Sequence, residues 1–104
     1  MRRFGQYAKL KPDFVEEYKK LHAKAWPKVL ETITKCNLRN YSIFLKGYDL
    51  FAYFEYIGTD FDADMALMEA DPITQEWWMH TKPCFVHHDE KKYYIDMEEI
   101  FHSQ

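Results

Sequence analysis

The stretch LRNYSIFLKGYDLFAYFEYI, residues Leu38–Ile57, decides the architecture. Two runs rich in Tyr, Phe and Ile, Leu38–Lys46 and Leu50–Ile57, flank Lys46-Gly47-Tyr48-Asp49. Aromatic and β-branched side chains suit a pleated backbone, and a glycine between two such runs supplies a hairpin turn. In the first run Arg39, Tyr41, Ile43 and Leu45 share one face, and Asn40, Ser42 and Phe44 the other. Tyr41 then points the same way as two aliphatic residues, so its hydroxyl needs a protein or ligand partner there.

Outward from this hairpin the chain alternates between strand and helix patterns. Met1–Leu10 sets Phe4, Gln6, Ala8 and Leu10 against Arg3, Gly5, Tyr7 and Lys9, the period of a strand. Asp13 is placed to cap a helix beginning at Phe14, with Glu16 and Glu17 in its first turn. Pro27 removes a backbone donor, which predicts a kink or a fresh helix running to about Lys35 and ended by Asn37. After the hairpin, Asp60 caps a helix from Phe61 to about Ala70. Asp71-Pro72 opens a shorter one from Ile73 to about Thr81. Lys82–Lys92 reads as a loop, and Tyr93–Phe101 alternates as a last strand.

The order β-α-β-β-α-β, with one extra helix, is the ferredoxin-like split βαβ: an α+β fold whose helices cover one face of an antiparallel sheet. The other face of so aromatic a sheet should meet a second copy, giving a homodimer of the dimeric α/β barrel type. Residues 1–104 form a single domain in this reading, without linker or repeat.

Composition removes several classes of function. Net charge is −3 and the basic residues are scattered, against nucleic acid as a partner. No apolar run approaches membrane-spanning length and no secretory leader is visible. Two cysteines, Cys36 and Cys84, make no disulfide framework, so the chain reads as cytoplasmic. Aromatic residues reach 18%, enough to line a small-molecule pocket as well as a core.

One side chain stands out as chemistry. On a helix through Phe14–Trp26, the apolar face carries Phe14, Val15, Tyr18, Leu21, Ala25 and Trp26, while Glu16, Glu17, Lys20, Lys24 and Lys28 take the other. His22 lies near the middle of the apolar face, with Tyr18 one turn before and Trp26 one turn after. It is either a core imidazole satisfied by a backbone carbonyl or an acid–base group at the bottom of a pocket. Trp77 and Trp78 point about 100° apart, so one can pack inward while the other reaches a rim. His80, Cys84, His87, His88 and Asp89 offer metal-ligand chemistry, but their spacing matches no metal signature and a surface loop accounts for them. No phosphate loop, nucleophile elbow or cofactor motif is present, so no metal and no cofactor is expected. Cofactor-free proton transfer or plain ligand binding remains.

Along nearly its whole length the chain resembles the L-rhamnose mutarotase family. The likeness is carried by Glu17-Tyr18, His22, Trp26-Pro27, Asn40-Tyr41-Ser42-Ile43, Gln75-Glu76-Trp77-Trp78 and the closing Met97–His102. The resemblance implies an isomerase that interconverts the α and β anomers of L-rhamnose or a related 6-deoxy-hexose such as L-fucose. It also implies that His22 is the proton donor and that Tyr18, Tyr41, Trp77 and Trp78 bind the sugar. The chain departs from the family pattern at Lys28 and over Cys84–Lys92. The same fold class hosts cofactor-free monooxygenases, haem-degrading proteins and non-catalytic ligand binders, which are the competing readings.

Overall fold

The computed structural model describes residues 1–86 and 93–104. Its elements run β1 (Arg2–Leu10), α1 (Val15–Ala23), α2 (Pro27–Lys35), β2 (Leu38–Lys46), β3 (Asp49–Tyr56), α3 (Phe61–Ala70), α4 (Pro72–Thr81), β4 (Phe85–Val86) and β5 (Ile95–Met97). The sheet order is β2-β3-β1-β4, with β5 also paired to β1 and every pairing antiparallel. This is the ferredoxin-like order anticipated above.

Local chemistry explains most boundaries. Lys46 pairs with Asp49 across a two-residue turn in which Gly47 takes φ 62°, a backbone that costs glycine little. The Asp60 carboxylate accepts from the Ala63 amide at 3.1 Å and opens α3. Asp71 accepts from both the amide and the hydroxyl of Thr74 at 2.8 Å, and Pro72 fills the first helical position of α4. Asn37 ends α2 at φ 68° and donates to Asp64 at 3.0 Å, where Tyr56 also donates, so the start of α3 is tied to the sheet.

Four expectations need correction. Asp13 caps nothing: Pro12–Phe14 forms a 3-10 turn, and α1 starts after Phe14 without a side-chain cap. The helix carrying His22 stops at Ala23, because a residue before proline is driven to extended backbone; Trp26 sits at ψ 130°. Pro27 thus starts a fresh helix, and Trp26 does not continue the row of Tyr18 and His22. Lys82–Val86 is not all loop, since a 3-10 turn leads into β4, which pairs with Lys9 and Leu10. The last strand is three residues long rather than nine.

A fifth difference concerns β2. Arg39 pairs with Glu55 but Ser42 pairs with Tyr53, so Asn40 and Tyr41 together oppose one residue. This is a β-bulge, and Asn40 takes φ 53° within it. The bulge shifts the alternation by one: Leu38 is buried inward, Arg39 leaves the inner face, and Tyr41 and Ile43 resume it. Tyr41 stacks on Phe54 at 5.3 Å with the rings 12° from parallel.

The core face of the sheet carries two apolar clusters. One gathers Ala8, Leu10, Tyr18, Leu50, Cys84 and Phe85; the other gathers Leu38, Phe54 and Tyr56 with Phe4, Ile33 and Phe61. Cys84 lies inside the first cluster and Cys36 at the end of α2; both thiols are free and buried. No described element covers the opposite face. It presents Phe44, Phe51, Ile95 and Met97, each at least 40% exposed, with Tyr7 and Tyr53 between them and the Arg3–Glu99 ion pair at its margin. No helix among the described residues is long and apolar enough to cross a membrane.

A positive φ at a non-glycine residue costs about 1–2 kcal/mol for a side chain branched at Cβ. Asn40→Val should therefore lower stability by about that amount, while Asn40→Gly should melt close to the unmodified protein. Equal thermal midpoints for Val and Gly would contradict the strained bulge.

Candidate active site

His22 is half-buried on α1, under Trp77 of α4. Its Nδ1–H donates to the Tyr18 carbonyl at 2.9 Å. With the proton fixed on Nδ1, Nε2 is the nitrogen left to act, and it has no hydrogen-bond partner among the described residues. Both readings of His22 thus contain something true: a backbone carbonyl satisfies one nitrogen and leaves the other available. Burial holds the imidazole pKa below its ordinary 6.5, opposed in part by the bond to Tyr18. At neutral pH the ring is therefore mainly uncharged.

The rings around it form a continuous set. Tyr18 lies 4.1 Å from His22, Trp77 meets His22 edge-on at 5.3 Å, and Trp26 meets Trp77 edge-on at 5.2 Å. Trp26 thus joins through α4 rather than along its own helix. Edge-to-face packing of this kind fixes ring orientation as well as burying area. Trp77 is buried because α4 turns it toward α1, one turn after the capped start.

Tyr18 belongs to the first cluster, and Tyr41 stacks on Phe54 of the second. The Tyr18 hydroxyl shares a 3.2 Å hydrogen bond with that of Tyr94. Burial pushes all three phenols, Tyr18, Tyr41 and Tyr94, well above the usual tyrosine range, and each also feels the charge of at least one other. They are neutral hydroxyls at any physiological pH, able to donate as well as accept. Tyr41 exposes 38% of its surface, so its ring edge meets solvent while its hydroxyl end is desolvated.

Trp78 is placed differently. It lines an open cleft of about 410 Å³ with Gln75, Met79, Lys82, Pro83 and Tyr93, and the Lys82 ammonium sits 5.1 Å over its ring. The structure thus brings Tyr18, His22 and Trp77 into ring contact, stacks Tyr41 on Phe54 instead, and sets Trp78 in the open cleft. Tyr94 was missed in the sequence: it is one of a Tyr-Tyr pair whose inward member depends on the register of a three-residue strand. Of the metal-ligand constellation, His87, His88 and Asp89 lie outside the described residues. Cys84 Sγ contacts the His80 carbonyl at 3.7 Å, and no group of three ligands capable of holding a metal occurs among the described residues.

The depressed pKa has a signed consequence. Between the unfolded value near 6.5 and the lower folded value, the unfolded chain binds the His22 proton more readily. Stability should accordingly fall as pH drops through 6.5 and into that window, and His22→Gln should flatten this dependence. A proton-resolved NMR titration should place the His22 midpoint below 6.5; a midpoint above it would contradict the burial described.

Comparison with known proteins identifies the family. The family described as L-rhamnose mutarotase matches residues 3–103. The L-rhamnose mutarotase of Lactiplantibacillus plantarum is 35% identical, with 98% of each chain covered. The L-rhamnose mutarotase of Formosa agariphila superposes with TM-score 0.80 over all of both chains at 23% identity. Tetracenomycin F2 cyclase of Streptomyces glaucescens shares the fold at TM-score 0.66 and 14% identity, covering 100% and 97% of the two chains. The first two comparisons extend over the whole site as well as the sheet, and by them the chain belongs to the L-rhamnose mutarotase family.

Proposed function

We propose that this protein interconverts the α and β anomers of L-rhamnose, with His22 as the proton donor and Tyr18, Tyr41, Trp77 and Trp78 as sugar-binding residues. The observation that carries the reading is His22 itself. One ring nitrogen is tied to a backbone carbonyl, the other has no partner among the described residues, and the ring stands between Tyr18 and Trp77.

The reaction needs little more than that. Ring opening breaks the bond between C1 and the ring oxygen, which requires a proton on that oxygen and loss of the proton on the anomeric hydroxyl. Neutral His22 takes up on Nε2 the proton leaving the anomeric hydroxyl. The imidazolium so formed delivers that proton to the ring oxygen as its bond to C1 breaks, so the neutral ring is regenerated and atoms and charge balance. Rotation about C1–C2 of the open aldehyde, followed by the reverse steps on the other face, gives the second anomer. A fixed Nδ1–H keeps Nε2 aimed throughout. Aromatic faces stack on sugar C–H groups and neutral phenols pair with hydroxyls, so Trp77, Tyr18 and Tyr41 suit a polyhydroxylated ring.

The acting form is proposed to be a homodimer joined across the uncovered sheet face. Apolar strand residues at that exposure are costly to leave in water, and a second copy presents the same face.

His22→Ala and His22→Gln should each slow anomer exchange by about 10²-fold or more, with thermal midpoints little changed. Saturation-transfer NMR on L-rhamnose and L-fucose measures this directly. Exchange at the unmodified rate in His22→Gln would move the proton elsewhere, and Tyr18 would be examined next. For the dimer, light scattering at micromolar concentration should give twice the chain mass, and Phe51→Glu should halve it. A monomer mass for the unmodified protein would remove this part of the proposal.

A further inference from the structure

The register sets the core face of the sheet in rows. Leu45, Leu50 and Ala8 stand side by side; next come Ile43, Ala52 and Gln6; then Phe54 and Phe4. Leu50 and Ala8 belong to the cluster around Tyr18, and Phe54 and Phe4 to the other. Ile43 packs against the first cluster, while Ala52 and Gln6 belong to neither, so these two mark the seam where the clusters meet. Asp96 of β5 extends this row as the register partner of Gln6.

Gln6 Nε2 donates to Asp96 Oδ1 at 2.8 Å. Along the row Ala52 is sealed at 3% exposure, Gln6 is half-buried and Asp96 is exposed, so the seam opens at the Gln6–Asp96 end. Along the chain the pair stands next to the cluster around Tyr18: Ala8 of that cluster is two residues after Gln6, and Tyr94, whose hydroxyl meets that of Tyr18, is two residues before Asp96. An amide flanked by Phe4 and Ala8 on its own strand is not what packing asks for at this position. Their mutual bond leaves Asp96 Oδ2, Gln6 Oε1 and one Nε2–H without partners among the described residues. Two acceptors and a donor at that spacing suit two adjacent hydroxyls, the carboxylate giving the stronger, charge-assisted bond.

We infer that Gln6 and Asp96 bind a vicinal pair of hydroxyls on the sugar and so take part in deciding which sugar the site accepts. The inference rests on the sugar reading above. It adds a polar recognition pair opposite the helix-borne residues, supplied by the sheet.

The test uses the full-length protein with L-rhamnose and its 2-, 3- and 4-deoxy analogues. Binding is read by intrinsic tryptophan fluorescence and exchange by saturation-transfer NMR. Asp96→Asn, which keeps shape, and Gln6→Leu should each weaken binding of L-rhamnose by about 10-fold or more, raising KM more than they lower kcat. In the unmodified protein, deletion of one of two adjacent hydroxyls should weaken binding by a similar factor. In Asp96→Asn the same deletion should make little further difference, a signature that a merely structural pair would not give. If the unmodified protein exchanges anomers and both variants bind all four sugars as it does, the inference is overturned and the proposed activity stands. If it binds L-rhamnose without exchanging it, the activity fails and the variants' binding alone decides the inference. If it binds none of the four, both are overturned. Should Gln6→Leu fail to fold, the isosteric Asp96→Asn carries the same decision.

Discussion

Ala8 opposite Leu50 and Phe4 opposite Phe54 hold β1 and β3 in one register, and every later placement is measured from it. A slip of β1 by one residue would turn Phe4, Ala8 and Leu10 to water and bring Tyr7 and Lys9 into the core, a change the buried face does not allow. With that pair fixed, β4 and β5 can add only to the free edge of β1, and β2 only to the free edge of β3. Tyr18 then lands over Ala8 and Leu10, which carries His22, four residues on, to a set depth. The placement of the imidazole is thus a consequence of strand pairing as much as of its own helix.

Among the described residues the groups touching His22 are uncharged: the Tyr18 phenol and the Trp77 indole pack on its ring, and burial sets its lowered pKa. In such a setting the proton that His22 is proposed to share with a sugar oxygen meets no competing charge among those residues, and hydrogen bonds are stronger than in water. The arrangement favours exchange of a proton in either direction over stabilisation of a lasting ion. That suits a reaction whose two ends are nearly equal in free energy.

Much of this was legible in the residues. The hairpin at Gly47, the capped starts at Asp60 and Asp71, and the apolar setting of His22 follow from short-range chemistry, which sequence records well. What was not legible depends on contacts between distant segments. Among the described residues Trp26 is joined to His22 through Trp77, although the helical period had placed it there directly. The bulge at Asn40 has no turn-forming pair to announce it, and yet it decides which of Arg39 and Leu38 is buried. β4 is two residues long and exists because Lys9 and Leu10 lie alongside it. Asp96 and Tyr94 could not be assigned a face until the short β5 had a partner.

The two buried thiols stand on opposite sides of the seam. Cys84 is sealed inside the cluster under α1, and Cys36 closes α2 beside the other cluster; burial raises both thiol pKa values. A thiolate-directed reagent can therefore reach either sulfur only when its own half of the molecule opens. The rates at which the two cysteines are alkylated become separate clocks for the breathing of the two halves. A ligand that spans the seam would slow both together, whereas one confined to a single side would slow only its own.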